Sequence, residues 1–270
     1  MAFALGQLGG TARMEGNLAL AGEHLRACLA LRQETGNLAG QAVAQLELAG
    51  VAFMAGDFQA TQAGCQEGLA AAEAAGDLQT AAHLLTGLSL SSRELGQFPQ
   101  ALACGRRSQE IYQQLGDSYG QLQAALTLGE LSRQMGDQAQ ARRFCQQAAQ
   151  LGQEIGDRSG EADGHYRLGQ IAADLREREE ALRHLRLALE IGLEIGEAPL
   201  VLDTLLEIGC LLAAEGERER AAEILRCLLA QPQLPERQRQ RASQALAALP
   251  APPTGRVAPS LEEAAALAMR

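Results

Sequence analysis

The chain has no lysine and no tryptophan; its 23 basic residues are all arginines, and aromatic residues fill only 3% of its 270 positions. Without lysine there is no phosphate-binding Gly-x-x-x-x-Gly-Lys loop, no Schiff-base amine and no kinase-type lysine. So few aromatics argue against a deep globular core and for packing by Ala and Leu, which suits thin stacked layers. None of the six cysteines (Cys28, Cys65, Cys104, Cys145, Cys210, Cys227) stands in a C-x-x-C pair, so no zinc or redox motif is supported. Free thiols at small apolar positions fit a reducing compartment. No apolar run approaches the ~20 residues that span a bilayer. The opening residues Met1 to Leu5 lack the basic stretch of a secretory signal, so the cytoplasm is the expected location. Net charge is −10, which argues against generic affinity for DNA, RNA or an anionic membrane.

Catalytic constellations are missing as well. Histidines stand at 24, 83, 165 and 184, none in a His-Glu-x-x-His arrangement. His24 and His184 share one repeat position and read as packing or surface. Glu179-Glu180 and Glu262-Glu263 lie at helix starts, where negative charge suits the dipole. No Gly-x-Ser-x-Gly elbow occurs. The expectation is no enzyme, no cofactor and no metal.

What is present is a period. A glycine followed by a small polar or acidic residue recurs every 20 residues: Gly16-Asn17, Gly36-Asn37, Gly56-Asp57, Gly76-Asp77, Gly96-Gln97, Gly116-Asp117, Gly136-Asp137, Gly156-Asp157, Gly196-Glu197 and Gly216-Glu217, with Arg176-Glu177 breaking the rule. Glycine ends helices by taking positive φ without a Cβ clash, and the following Asp or Asn caps the next helix. Twenty residues then hold one helix of about 15 residues and a turn. A strict period over most of a chain means a repeat architecture.

Alternate segments carry different signatures, so the unit is 40 residues. First helices contain a large aliphatic followed by a minimal residue: Leu8-Gly9, Leu48-Ala49, Leu88-Ser89, Leu128-Gly129, Leu168-Gly169 and Ile208-Gly209. Glycine in a helix costs about 1 kcal/mol against alanine, so its recurrence implies close helix crossing. Second helices carry Ala21, Ala101, Ala141, Ala181 and Ala221 five residues after the turn, with Thr61 once. The spacing predicts first helices near 2–15, 40–55, 80–95, 119–135, 159–175 and 199–215. Second helices are predicted near 18–35, 58–75, 98–115, 138–155, 178–195 and 218–230. A further helix over 235–248 carries Ala242, Ala245, Leu246 and Leu249 on one stripe, as a terminal cap must. A Pro-rich linker occupies 250–259, and Ser260-Leu261-Glu262-Glu263 starts a short helix over 260–270.

This pattern of Leu-Gly, small residue, Gly-Asp/Asn and following Ala resembles the tetratricopeptide repeat in its 40-residue form, over about residues 2 to 231. The family's Trp position is held instead by Leu5, Gln45, Leu85, Ala125, His165 and Leu205. The resemblance implies an all-α, right-handed α-solenoid of about six helix-turn-helix repeats, with residues 1–249 as solenoid plus capping helix. It also implies that first helices line a concave groove holding a protein or peptide ligand. On that reading the groove candidates are Phe53, His83, Arg93, Glu130, Arg133, Asp163, Tyr166, Arg167, Gln170 and Asp203. Arg93 and Arg133 are expected to be neighbours, with His83 nearby, on a carboxylate or phosphate. Asp163, Asp203 and Glu207 form an acidic stretch, so a peptide with one basic and one acidic end is the expected ligand.

The closing segment, from Leu228-Leu229-Ala230-Gln231-Pro232 through Arg237-Gln238-Arg239-Gln240-Arg241-Ala242, is similar to that of bacterial signalling ATPases whose repeat array is the sensor. That resemblance implies sensing here and output elsewhere, in a longer protein. Helical pattern is already under way at Phe3 without a cap, which fits a C-terminal piece and leaves an apolar end through which copies would associate. A free-standing adaptor that assembles protein partners is the alternative.

Overall fold

A computed structural model describes residues 1–249 and 260–269. Among them are fourteen α-helices and no strand. The chain divides into two compact units, Met1–Asp137 and Gln138–Arg270. The first holds α1 (Ala2–Met14), α2 (Leu18–Glu34), α3 (Leu38–Met54), α4 (Phe58–Ala75), α5 (Leu78–Glu94), α6 (Phe98–Leu115) and α7 (Ser118–Gln134). The second holds α8 (Gln138–Ile155), α9 (Arg158–Asp174), α10 (Arg178–Ile195), α11 (Ala198–Ala214), α12 (Arg218–Leu229), α13 (Glu236–Ala247) and α14 (Leu261–Met269). The Pro-rich stretch 250–259 lies outside the described residues. First helices begin up to two residues earlier than the pattern predicts, because the residue after the turn glycine caps at once.

The turns behave as the period requires. All ten turn glycines have positive φ, between 65° and 85°. The next amide reaches back five residues, as in Asn17 N–H to Ala12 O at 2.8 Å and Glu217 N–H to Leu212 O at 3.0 Å, closing the helix end. Asn17, Asn37, Asp57, Asp77, Asp117 and Asp157 then accept the amide three residues on, at 2.8–3.2 Å. Arg176 takes φ 60° without being glycine, a conformation that costs an L-residue about 1–2 kcal/mol. Where Glu stands instead of Asp, at 177, 197 and 217, its side chain makes no cap bond. It reaches one repeat back: Arg142 to Glu177, Ser159 to Glu197 at 2.8 Å, Arg178 to Glu217.

Within each unit consecutive helices pack as antiparallel pairs, and first helices touch one another: α1 on α3, α3 on α5, α5 on α7, and in the second unit α9 on α11. Second helices within a unit make no such approach, so the first helices form the tighter inner face of each stack. The minimal residues explain the crossing. A Cβ on Gly169 would lie 2.6 Å from Leu185 Cγ and 3.2 Å from Leu185 N, and one on Gly164 would lie 2.7 Å from Ala149 N. In the first unit Leu84, Leu85 and Leu88 of α5 bury against Cys65, Ala72, Ile111 and Tyr112; each buried leucine is worth roughly 1.5–3 kcal/mol.

The second unit is closed by two helices. α13 lies against α11 and α12, where the first helix of a further repeat would stand. Ala242 is buried there, with Ala245, Leu246 and Leu249 packed on the same core. α14 rests on α10, α11 and α12. It starts with a reciprocal cap, Ser260 N–H to Glu263 Oε2 at 2.8 Å and Glu263 N–H to Ser260 Oγ at 3.1 Å. Its last carbonyls accept from Arg186 and Arg220, at 3.0 Å to Ala268 O and 2.7 Å to Leu267 O, where cations suit the helix dipole.

Candidate interaction face

In the first unit the candidates do not gather into one site. Phe53 packs edge-on against Phe58, centroids 5.4 Å apart, at the α3–α4 turn. His83 is exposed, donates Nδ1–H to Gln79 O (2.9 Å) and packs T-shaped on Tyr112. The expectation that His83 joins Arg93 is corrected here: ten residues of one helix put about 15 Å between them. Arg93 is paired with Glu94 at 2.6 Å. Arg133 forks onto Glu130, at 3.1 and 3.2 Å, and Gln134 donates to the same carboxylate at 2.7 Å. Both pairs are partly withdrawn from solvent, with Glu130 the most covered of the four side chains.

The second unit does assemble a site. α9 presents Asp163, Tyr166, Arg167 and Gln170 on successive turns of one face, and α11 presents Asp203 and Glu207. Glu207 is the hub: Gln170 Nε2 donates to its Oε1 at 2.9 Å and Tyr166 Oη at 3.4 Å, and Gln170 also donates to Tyr166 Oη at 2.9 Å. From α13, Arg241 donates Nη1 to Oε1 and Nη2 to Oε2, both at 2.6 Å. Gln238 Nε2 donates to Asp203 Oδ1.

Burial sets the electrostatics. Burial pushes the Glu207 carboxyl up, but hydrogen bonds and charge from Arg241, then Gln170 and Tyr166, outweigh it and hold the group below its usual range. Asp203 is pushed up to about 6 by burial and then by the Glu207 charge. Asp163 is raised by burial against the pull of Arg167. Burial, then Glu207 and Asp203, raise the Tyr166 phenol, so it stays a neutral donor. The cluster is polar and hydrogen-bonded in place, with the half-exposed Arg241 side chain laid on the nearly buried Glu207 carboxylate. Arg241 and Gln238 escaped sequence reasoning; the signal was an Arg-Gln run in the capping helix opposite two acidic positions 34 and 35 residues earlier.

A second cluster was also missed. His165 and His184 face each other across α9 and α10, Nδ1 to Nδ1 at 3.0 Å, rings stacked 5.2 Å apart. His184 Nε2 meets Arg183 Nη2 at 2.9 Å and Glu180 Oε1 at 3.2 Å. The Nδ1 contact needs one donor and one acceptor, so both rings cannot be protonated in place.

Among the described residues no group of three or more His, Cys, Asp or Glu could hold a metal, and no helix is long and apolar enough to cross a membrane. All six cysteines are free. Stacked helical hairpins presenting a lined face define a repeat scaffold.

Sequence profiles described as Tetratricopeptide repeat match residues 79–154 and 162–191, so these stretches carry tetratricopeptide repeats. No curated protein sequence matches it. In fold it is similar to a Signal Transduction ATPase with Numerous Domains (STAND) protein with a tetratricopeptide repeat sensor from Pyrococcus horikoshii. The TM-score is 0.72 at 14% identity, over 90% of this chain and 41% of that one. It is similar to the apo form of RapI, with TM-score 0.69 at 11% identity over 91% of this chain and 84% of that one. A Rap protein complexed with Competence and Sporulation Factor gives TM-score 0.67 at 12% identity, over 99% and 76%. The chain therefore spans less than half the length of the STAND protein.

Proposed function

We propose that the chain is a non-catalytic scaffold that binds a protein or peptide segment along its first-helix face, as the sensor or interaction array of a larger bacterial signalling protein in the cytoplasm. The observation that carries the binding reading is the polar cluster of Asp163, Tyr166, Gln170, Asp203 and Glu207 on two adjacent first helices, with Tyr166, Gln170 and Glu207 hydrogen-bonded to one another. The likeness to the tetratricopeptide sensor of a STAND protein supports the sensor role, and the Rap complex supports capture of a regulatory factor. The net charge of −10 favours a polypeptide partner over nucleic acid or membrane. Exposed Met1, just ahead of α1, and Phe3, Leu8 and Met14 on it support self-association as a second use of the molecule; Leu8 is 52% exposed where its equivalent Ile208 is fully buried.

The binding reading is tested by cross-linking capture with the whole chain, Asp203→Asn/Glu207→Gln as the face variant and Glu190→Gln on an exposed second-helix site as control. The face variant is expected to lose partners that the control retains. Equal capture by both would overturn the reading. A nucleotide-binding domain encoded in frame ahead of Met1 would favour the sensor array over the free-standing adaptor.

A further inference from the structure

The Glu207 carboxylate is 10% exposed, while the Arg241 side chain that neutralises it is 50% exposed. The pocket belongs to α9 and α11; its cation is supplied from α13, a helix in which Ala242 alone is buried. α13 does not depend on Arg241 to stay in place. Arg239 donates to Leu229 O and Gln231 O at 2.8 Å each, and Leu234 is buried in the core just ahead of it. Arg241 can therefore swing out without unseating its helix. An emptied Glu207 would be a buried unpaired charge, so the site favours exchange of one cation for another over vacancy.

We propose that the Glu207 pocket recognises the guanidinium of an arginine in an extended partner segment, and that Arg241 is an internal occupant exchanged for it on binding. This deepens the scaffold reading and rests on the first-helix face being the binding surface. The chemistry selects arginine. Two parallel N–H donors match the two carboxylate oxygens that Arg241 now engages, and a lysine ammonium offers no such fork. Asp203 and Asp163 lie beside Glu207 and, with it, outnumber Arg241 and Arg167, so a cationic segment arriving over the pocket meets net negative charge. Gln238 Oε1 is buried without a hydrogen-bond partner, an acceptor placed for a donor beside Asp203. Arg241 then acts as a selectivity filter, because only a cation that reproduces its fork displaces it.

The experiment uses the whole chain and a fluorescein-labelled Gly-Arg-Gly-Arg-Gly-Arg-Gly peptide, with the same peptide carrying citrulline at each arginine as the uncharged isostere. By fluorescence anisotropy, Arg241→Gln is expected to bind the arginine probe at least tenfold tighter than wild type, with no gain for the citrulline probe. Adding Glu207→Gln should abolish that gain. A gain shared by both probes, or none for Arg241→Gln, overturns the proposal. Should Arg241→Gln fail to fold, side-chain NMR of arginine-labelled wild type decides: the arginine probe must shift the Arg241 Nε–H resonance and the citrulline probe must not. Loss of this exchange with capture still sensitive to Asp203→Asn/Glu207→Gln sinks the exchange alone; capture insensitive to that variant sinks the scaffold reading beneath it.

Discussion

Acidification should loosen the second unit at the histidine pair. Burial, then the Arg183 and His165 charges, push the His184 pKa down from 6.5 to about 4, against a smaller upward pull from Glu180. His165 is lowered by burial, with Glu161 opposing and Arg183 assisting. A base whose folded pKa lies below its unfolded value binds fewer protons when folded. Its stabilising contribution is complete above about pH 6.5 and is lost as pH falls toward 4. Between pH 7 and pH 5 the His184 shift alone corresponds to about 2 kcal/mol. Asp203 works the other way, since its raised carboxyl takes up a proton more readily in the folded chain. The informative quantity is thus the difference between wild type and His184→Gln, measured by urea unfolding at both pH values. The variant should lose about 2 kcal/mol less than wild type over that interval. Histidine NMR supplies a direct check, with the His184 ring expected to titrate near 4. Equal pH slopes for the two proteins, or a His184 pKa at 6 or above, would refute the reasoning.

Two further outcomes test the repeat logic. Arg176→Gly should stabilise the second unit by about 1 kcal/mol, because the one non-glycine turn residue is held at positive φ; thermal unfolding reads the gain. Gly169→Ala should destabilise by about 1–3 kcal/mol, since the new methyl meets Leu185 and the helices must part, and denaturant midpoints would show it.

The helices were legible because each turn needs a residue that tolerates positive φ, and glycine marks that need in the letters themselves. The pairing of alternate helices was legible through Leu-Gly and the alanine after the turn, which report close crossing. Asp163, Tyr166, Gln170 and Asp203 were named from the family resemblance, and the structure places them together on α9 and α11. Arg241 and the histidine pair were not, since contact between them and their partners depends on rotation and lean of packed helices. His165 and His184 stand 11 residues before and 8 after the Arg176 turn, an offset that spacing alone does not resolve. His83 and Arg93 erred in the opposite sense, being grouped by face without regard to the rise along one helix.

The exchange of Asp for Glu at the later turns carries a consequence for how the molecule comes apart. One added methylene moves the carboxylate from its own helix start to a neighbour one hairpin earlier. In the first unit Asn17, Asn37, Asp57 and Asp77 cap their own helices, while Gln97 and Asp117 accept from Gln62 and Gln79 one hairpin earlier, so there the leading hairpins can melt while their neighbours persist. Glu177, Glu197 and Glu217 hold two hairpins at once, so in the second unit melting one hairpin strips a bond from the next. Amide exchange should accordingly show graded protection through the leading hairpins of the first unit and a single, shared opening in the second.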